Sequence, residues 1–268
     1  MRMVTLIENS QGVEGCLFEH GLSIYAEVGS RKVLFDTGAS AALIKNAELL
    51  GINLRSADMV VLSHGHWDHA GGITALAELN GHAPIYAQAA AALDYYSGDR
   101  YIGIDKKILE LPQLRLRRGS YIIEEGISVF AGVTERRCWP KGNLSMTCCR
   151  EGVHTQDDFA HEQYLVLEEN GQRLLLSGCA HNGILNIMRK FTELYGGEPD
   201  VVVSGFHMMQ QNAFTESDKE IIKATAEELA GTKSVFYTGH CTGQPAFEIM
   251  QAIMGSKLQP LYTGKIIC

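Results

Sequence analysis

Short apolar runs that stop at small residues recur along this chain of 268 residues. Continuous apolar runs, typical of buried strands, occur at residues 59–62, 174–176, 201–203 and 235–237. Residues 22–28 alternate between apolar and polar positions, as expected for a half-buried strand. Helical patterns follow several strands, over residues 40–50, 73–79 and 184–195. Strands that alternate with helices predict an α/β fold.

The remaining pattern is less regular. Further strands are predicted at residues 3–7, 31–38, 84–87, 122–129, 162–168 and 173–177, and a further helix at residues 89–96. Residues 97–120 are mixed, and residues 134–161 form a long polar stretch that we interpret as a loop. We expect one domain over residues 1–268, with an insertion or lid around residues 97–160 that could also form a dimer contact.

The composition limits the possible partners. Apolar residues make up 46% of the chain, enough for a full core. A formal net charge of −8 argues against general nucleic-acid binding, although a local cleft can still accept an anionic small molecule. No apolar run is long enough to cross a membrane, and the N-terminal residues lack the apolar region of a signal peptide. An odd count of seven cysteines suggests reduced thiols, so we expect a cytoplasmic protein, with homo-oligomerisation left open.

Residues 63–72 hold the densest group of metal-capable side chains, in the order Ser-His-Gly-His-Trp-Asp-His-Ala-Gly-Gly. His64 and His66 are two residues apart, so an extended backbone points both rings to the same side. Asp68 and His69 lie past the bend and can face a second point. Imidazoles and a carboxylate suit zinc, iron or manganese. The sequence therefore predicts a metal site on the loop between a strand and a helix.

Three later strands also end in small residues followed by a histidine, namely His181, His207 and His240. Such strand ends can converge on one edge of a sandwich, which predicts one composite site. His207 is expected to contact substrate as a hydrogen-bond donor or acid, with a structural role as the alternative. The other histidines outside this pattern are expected to face solvent: His20, His82 and His154.

Asp36 ends an apolar strand and precedes a Thr-Gly pair. A carboxylate at the end of a core strand costs free energy unless it is paired. Asp36 therefore either caps a turn or accepts a hydrogen bond from a metal-binding histidine.

The pattern His-x-His-x-Asp-His at residues 64–69 resembles the metallo-β-lactamase superfamily. The resemblance implies a four-layer αββα sandwich with two divalent metal ions, zinc being expected and iron or manganese being the alternatives. It implies that one ion is held by His64, His66 and His181, with His161 as a rival for the third position. It implies that the second ion is held by Asp68, His69 and His240. It also favours the histidine-holding role of Asp36.

The chain departs from the family pattern at one position. The resemblance implies a bridging aspartate after a Ser/Thr-Gly pair, but here residues 177–178 are followed by Cys179. Cys179 is a thiolate ligand, a side chain that only lines the site, or a small buried apolar residue. A further interpretation of this difference is that the second metal ion is weakly bound.

Several motifs together look like one branch of the superfamily, the 7,8-dihydropterin-6-methyl-4-(β-D-ribofuranosyl)aminobenzene-5′-phosphate synthase-like proteins. These are the metal motif, Ser-Gly-Cys-Ala-His-Asn-Gly-Ile, Gly-Phe-His-Met and Gly-His-Cys-Thr-Gly, all within residues 36–243. The resemblance implies a transferase that releases pyrophosphate when it joins a pterin diphosphate to an arylamine.

The predicted site supports three functions. A binuclear hydrolase would use a metal-activated hydroxide on a phosphorylated or ester-type small molecule, with Asp68 and His207 in catalytic roles. The transferase is the first alternative, and a non-catalytic metal- or redox-sensing module is the second. Arg136, Arg137 and Trp139 are candidates for an anion clamp with a stacking surface, and an ordinary surface loop is the competing interpretation.

Overall fold

The first of two large sheets forms one half of the molecule. The computed structural model describes residues 1–210 and 212–267. The strands of the first sheet, in spatial order, are β1 (Arg2–Ile7), β2 (Ser23–Val28), β3 (Arg31–Phe35), β4 (Met59–Val61), β5 (Ile85–Gln88) and β8 (Leu114–Arg117). The pairs β1–β2 and β2–β3 are antiparallel, and β3, β4, β5 and β8 run parallel.

The second large sheet has seven strands. In spatial order they are β17 (Leu258–Pro260), β16 (Val235–Thr238), β15 (Val201–Val203), β14 (Gln172–Leu176), β13 (Gln163–Glu169), β10 (Ile127–Ala131) and β9 (Tyr121–Glu124). Strands β14 to β17 are parallel, and β14, β13, β10 and β9 are antiparallel neighbours. Because β14, β15 and β16 are parallel neighbours, their carboxyl ends lie together on one edge.

Helices cover the outer faces of both sheets. They are α1 (Ala42–Leu49), α2 (Trp67–Ala70), α3 (Ile73–Leu79), α4 (Ile184–Tyr195), α5 (Glu216–Ala230) and α6 (Gln244–Met254). Short 3₁₀ turns occur at Leu54–Ser56, Ala89–Ala92, Lys106–Glu110, Lys141–Ser145, His240–Thr242 and Gly255–Lys257. Within the described residues, none of the helices has the length and apolar character needed to traverse a bilayer.

Side-chain alternation along the strands creates the layers. In β13, Leu165 and Leu167 belong to the core between the sheets, whereas Tyr164 and Val166 face the core beneath helices α4 to α6. In the first sheet, Met3 lies in the shared core and Val4 in the core beneath α1 and α3. A period of two sends successive side chains to opposite faces, so each sheet is buried on both sides. The predicted αββα sandwich is confirmed.

A small third sheet lies where the sequence predicted a helix and a loop. It is antiparallel and consists of β12 (Val153–Gln156), β11 (Met146–Arg150), β6 (Asp94–Ser97) and β7 (Arg100–Tyr101). The predicted helix at 89–96 is wrong beyond its first turn, and the predicted loop at 134–161 contains two strands. Pairing between β6 and β11, with Tyr95 and Cys148 buried against Trp67, overrides the local alanine-rich pattern. Part of the stretch interpreted as an insertion, β8 to β10, belongs to the large sheets.

Candidate metal centre

The histidines that follow four predicted strands meet at one edge of the sandwich. His181, His207 and His240 follow the parallel strands β14, β15 and β16, and His64 follows β4 in the facing sheet. Non-glycine residues with positive φ follow β3, β14, β15 and β16: Asp36, Ala180, His207 and His240. Left-handed backbone is costly for such residues and is typical of functional sites, where it directs side chains that a regular strand could not.

His64, His66 and His181 form the first group of the centre. Their ring centroids lie 4.6 Å apart for His64–His66 and 4.9 Å for each of the other two pairs. All three side chains are buried, and each Nε2 atom lacks a hydrogen-bond partner among the described residues. Unpaired buried nitrogens cost free energy, whereas a cation would use their lone pairs.

Asp68, His69 and His240 form the second group. The two Nε2 atoms of His69 and His240 are 3.2 Å apart. The Asp68 Oδ2 atom lies 3.3 Å from Nε2 of His240 and 3.7 Å from Nε2 of His69. One carboxylate oxygen and two imidazole nitrogens therefore face a common point, which is a ligand set that a divalent cation accepts.

Hydrogen bonds outside the centre fix four of the imidazole rings. In each ring Nδ1 bonds an oxygen on the outer side; these pairs are His64–Ser63 Oγ (2.7 Å), His69–Asp36 Oδ2 (2.6 Å), His181–Asn143 Oδ1 (2.9 Å) and His240–Asn9 Oδ1 (2.8 Å). The Ser63 hydroxyl donates to Asp36, so it can only accept from His64. Nδ1 therefore carries a proton in each ring, and the Nε2 atoms point inward, as metal binding requires.

The electrostatic environment divides the histidines into two kinds. Burial, together with neighbouring histidines, lowers the pKa of His66 to about 3 and holds the pKa values of His64 and His181 well below the ordinary range. Burial also acts to lower the pKa of His69, but the Asp36 and Asp68 carboxylates outweigh it and raise that pKa to about 9. The first group is thus neutral, the state in which imidazole binds metals.

Cys179 lies between the two groups. Its Sγ atom is 3.1 Å from Nε2 of His69. It lies within 4.8 Å of ligand atoms of His64 and His181 on one side and of His69 and His240 on the other. Burial raises the pKa of the Cys179 thiol above its usual value.

His161 makes two hydrogen bonds that leave neither ring nitrogen free. Its Nδ1 atom accepts from the backbone N–H of Gly65 at 2.8 Å, and its Nε2 atom lies 3.1 Å from Asp157 Oδ2. The ring also stacks on Tyr95, with centroids 4.0 Å apart. His181, whose Nε2 has no partner within the described part of the chain, offers what a third metal ligand needs, whereas His161 supports the loop that carries His66.

Several residues that the sequence analysis did not single out hold the centre in place. The Glu162 carboxylate accepts hydrogen bonds from the backbone N–H groups of His181 (2.7 Å) and Asn182 (2.9 Å). Asn143, in the stretch interpreted as loop, donates to the His181 carbonyl oxygen at 2.7 Å. Glu8 accepts from the His240 backbone N–H. These partners lie 19 to 232 residues from the histidines they hold, so no local motif reveals them.

His207 stands beside the first group. Its ring centroid is 4.2 Å from that of His181, and its buried Nδ1 atom has no hydrogen-bond partner among the described residues. One ring nitrogen of His207 and the Sγ atoms of Cys179 and Cys241 all lie within 4.8 Å of one another. His207 also borders a small cavity that Met208 and Phe214 help to line.

His20 is exposed, as predicted, but its ring also contacts the second group. Its Nε2 atom is 3.3 Å from Asp68 Oδ2, and its ring centroid is 4.9 Å from that of His240. The side chain is 44% exposed, so it reaches from the second group toward solvent. The hydrogen bond to Asp68 raises the pKa of His20. His82 and His154 are exposed, as predicted.

The predicted anion clamp is not assembled at the centre. Arg137 pairs with Glu228, with Nη1–Oε1 at 2.8 Å, and Arg136 donates to backbone carbonyl groups, including that of Asp158 at 3.0 Å. Trp139 lies beneath Arg136, whose guanidinium carbon is 5.3 Å from the ring centroid. Nearby acceptors on the adjoining loop and on α5 satisfy these guanidinium groups, which keeps them from the histidines.

The chain is similar in sequence to known proteins of this architecture. A family profile described as the metallo-beta-lactamase superfamily matches residues 18–131. A 7,8-dihydropterin-6-methyl-4-(beta-D-ribofuranosyl)-aminobenzene-5′-phosphate synthase of Methanocaldococcus jannaschii is 27% identical over 100% of this chain and 96% of its own length. An uncharacterized protein of the same organism is 28% identical over 77% of this chain and 80% of its own.

Solved structures extend the comparison. Zinc-bound PqqB from Methylobacterium extorquens shares the fold at 13% identity, with a TM-score of 0.57 and all of both chains covered. Tm1679, described as a metal-dependent hydrolase of the β-lactamase superfamily, is 30% identical, with a TM-score of 0.85 over 100% of this chain and 98% of the other. This full-length similarity establishes that the chain belongs to the metallo-β-lactamase superfamily.

Proposed function

We propose that this protein is a binuclear metal-dependent hydrolase of a phosphorylated or ester-type small molecule. The observation that carries the proposal is the buried cluster whose imidazole Nε2 atoms converge while their Nδ1 atoms are bonded outward. The similarity to Tm1679, described as a metal-dependent hydrolase, supports the same reaction class.

The donor set fits two divalent ions. His64, His66 and His181 would hold one, and Asp68, His69 and His240 would hold the other. Zinc suits a set rich in imidazole, although iron and manganese accept the same ligands. When bound, such ions supply Lewis acidity toward an anionic oxygen and lower the pKa of water.

Protein groups around the centre would bind and orient the substrate. The Nδ1 atom of His207, which has no partner in the described parts of the chain, is available for a hydrogen bond to a substrate oxygen beside His181. On the other side, the exposed ring of His20 contacts Asp68 and can hold that carboxylate in position or pass a proton to solvent. Asp68 thus lies between a metal position and the outside, which supports its proposed catalytic role.

An exposed arginine close to the second ligand group favours an anionic substrate. The guanidinium carbon of Arg100 lies 5.1 Å from the centroid of Trp67, the residue between His66 and Asp68. The Trp67 ring is 6.2 Å from the ring of His20, so these side chains are continuous with the centre. Arg100 is exposed and has no acidic partner among the described residues. A guanidinium held on an aromatic face is suited to binding a phosphate group.

A transferase is the second candidate, because the similarity to the synthase of Methanocaldococcus jannaschii covers the whole chain. Both reactions would use the same donor set and the same anion site. They differ in the acceptor, which is water for a hydrolase and an arylamine for the transferase implied by the resemblance.

The test is a panel of phosphate esters, diphosphate esters and carboxyl esters, given to metal-loaded and metal-stripped protein with phosphate and pyrophosphate as readouts. Metal-dependent release in water alone supports the hydrolase, and pyrophosphate release only with an arylamine supports the transferase. His66→Ala should abolish turnover, and His82→Ala, which changes an exposed histidine, should not. Full activity in metal-stripped protein would contradict both, and metal binding without turnover would favour the sensing module.

A further inference from the structure

Cys179 occupies the position between the two groups of ligands. Its thiol is buried, and the sulfur lies within 4.8 Å of ligand atoms from both groups. The shortest of these contacts, 3.1 Å to Nε2 of His69, is to a member of the second group. The resemblance implies an aspartate here, so the chain has a sulfur where a carboxylate oxygen would bridge.

A second observation indicates that this sulfur faces ligand positions. The Nε2 atoms of His64 and His181 are buried and have no hydrogen-bond partner among the described residues. Ligand atoms of these two histidines lie within 4.8 Å of the Cys179 sulfur. The thiol is therefore directed at nitrogen lone pairs rather than at an apolar core. A small buried apolar residue would instead be packed against carbon atoms.

The backbone before Cys179 is fixed by a close approach between the two sheets. Gly178 has a φ of +61°, and a Cβ atom there would lie 2.4 Å from the Ser63 Oγ atom. Its carbonyl oxygen accepts from the Gly205 backbone N–H at 2.6 Å. These contacts allow only glycine at 178 and hold Cys179 beside the loop that begins the metal motif.

We propose that Cys179 is a thiolate ligand shared by the two metal ions. On binding, the S–H bond breaks, the proton passes to solvent, and sulfur–metal bonds form without any change of oxidation state. The inference rests on the proposed metal centre and deepens it, because a bridging thiolate favours zinc, iron(II) or cobalt(II) over manganese and magnesium.

The proposal is tested by loading metal-stripped protein with cobalt(II). Wild-type protein should bind two cobalt ions per chain and show a near-ultraviolet thiolate-to-cobalt charge-transfer band. Cys179→Ser should lose the band. Cys148→Ser, which changes a buried cysteine of the small sheet, and Cys241→Ser, which changes the neighbouring thiol, should keep it.

A band that persists in folded Cys179→Ser protein, or one that disappears only in Cys241→Ser, would overturn the assignment. If the serine variant does not fold, Cys179→Asp replaces it: this variant should bind two ions, lack the band, and take up more manganese in competition with zinc. An unchanged metal preference together with a retained band would also overturn the proposal.

The cobalt spectrum needs no substrate, so it separates this inference from the proposed function. If wild-type protein shows the band but turns over no substrate, the thiolate bridge is supported and the proposed hydrolase activity is contradicted. If wild-type protein turns over substrate but shows no band, the hydrolase activity is supported and the thiolate bridge is contradicted.

Discussion

The Oδ2 atom of Asp36 lies 2.6 Å from Nδ1 of His69, and both side chains are completely buried. The same carboxylate accepts hydrogen bonds from the backbone N–H and the hydroxyl of Ser63, each at 2.7 Å. Asp36 thus joins the end of β3 to the loop after β4 and orients one imidazole of the centre. A carboxylate in this position also makes the imidazole a stronger metal ligand.

Asp36→Asn should therefore weaken metal binding at the second position by about 10- to 100-fold. An amide carries no charge and can accept fewer of the three hydrogen bonds. Competition with a chromogenic chelator measures the affinity, and thermal melting checks that the variant is folded. Asp58→Asn, which changes a carboxylate that pairs with Arg31, is the control. If folded wild-type and Asp36→Asn protein bound metal with equal affinity, Asp36 would have only a structural role.

His181 and His161 can be distinguished by metal content. His181→Ala should lose the metal of the first group, because it removes an inward Nε2 atom. His161→Ala should keep both metals but lose about 1–3 kcal/mol of stability, since the Gly65 N–H and Asp157 lose a buried partner. Elemental analysis and denaturant titration measure the two effects. Metal loss in His161→Ala alone would reverse the assignment.

The metal-free protein should lose stability as the pH falls below about 6.5. The pKa of His66 is lowered to about 3 in the folded state, so between these values the unfolded chain binds a proton that the folded chain does not. Stability then rises with pH across this window. The pKa of His69, raised to about 9, leaves it protonated in both states there, so it adds no opposing slope.

His66→Gln should reduce this pH dependence because glutamine does not titrate. Denaturant midpoints of chelator-treated protein at pH 5.5 and pH 4 measure the slope. His82→Gln, at an exposed position, should behave like wild-type protein. A slope in His66→Gln equal to that of wild-type protein would show that this imidazole is not held neutral.

Arg100→Ala should lower kcat/KM for a phosphorylated substrate by about tenfold, mainly through KM, because it removes a charged hydrogen-bond donor. Activity on an uncharged ester and the metal content should not change, and Arg100→Lys should recover part of the loss. Arg117→Ala, which removes an exposed positive charge from β8, is the control. An equal loss on charged and uncharged substrates would argue against an anion site at Arg100.

Most of the strands followed from the sequence because apolar periodicity reflects which faces are buried, whereas the αββα architecture was implied by the resemblance of residues 64–69 to the metallo-β-lactamase superfamily. Residues 59–62 and 201–203, for example, lack polar positions because both of their faces are covered. The small sheet was missed because its strands, β6 and β11, are stabilised by pairing with each other across about 50 residues of chain.

The sequence by itself determined which residues could bind metal, since the types and spacing of imidazole and carboxylate groups at residues 64–69 are local properties. Only the tertiary structure decided how these groups are used. It satisfied both nitrogens of His161 and, among residues 1–210 and 212–267, left Nε2 of His181 without a partner. It also brought His20 to Asp68 and directed Arg136 and Arg137 to other partners. Hydrogen bonds and ion pairs between residues distant in the chain depend on the packed sheets, so they leave no periodic signal in the sequence.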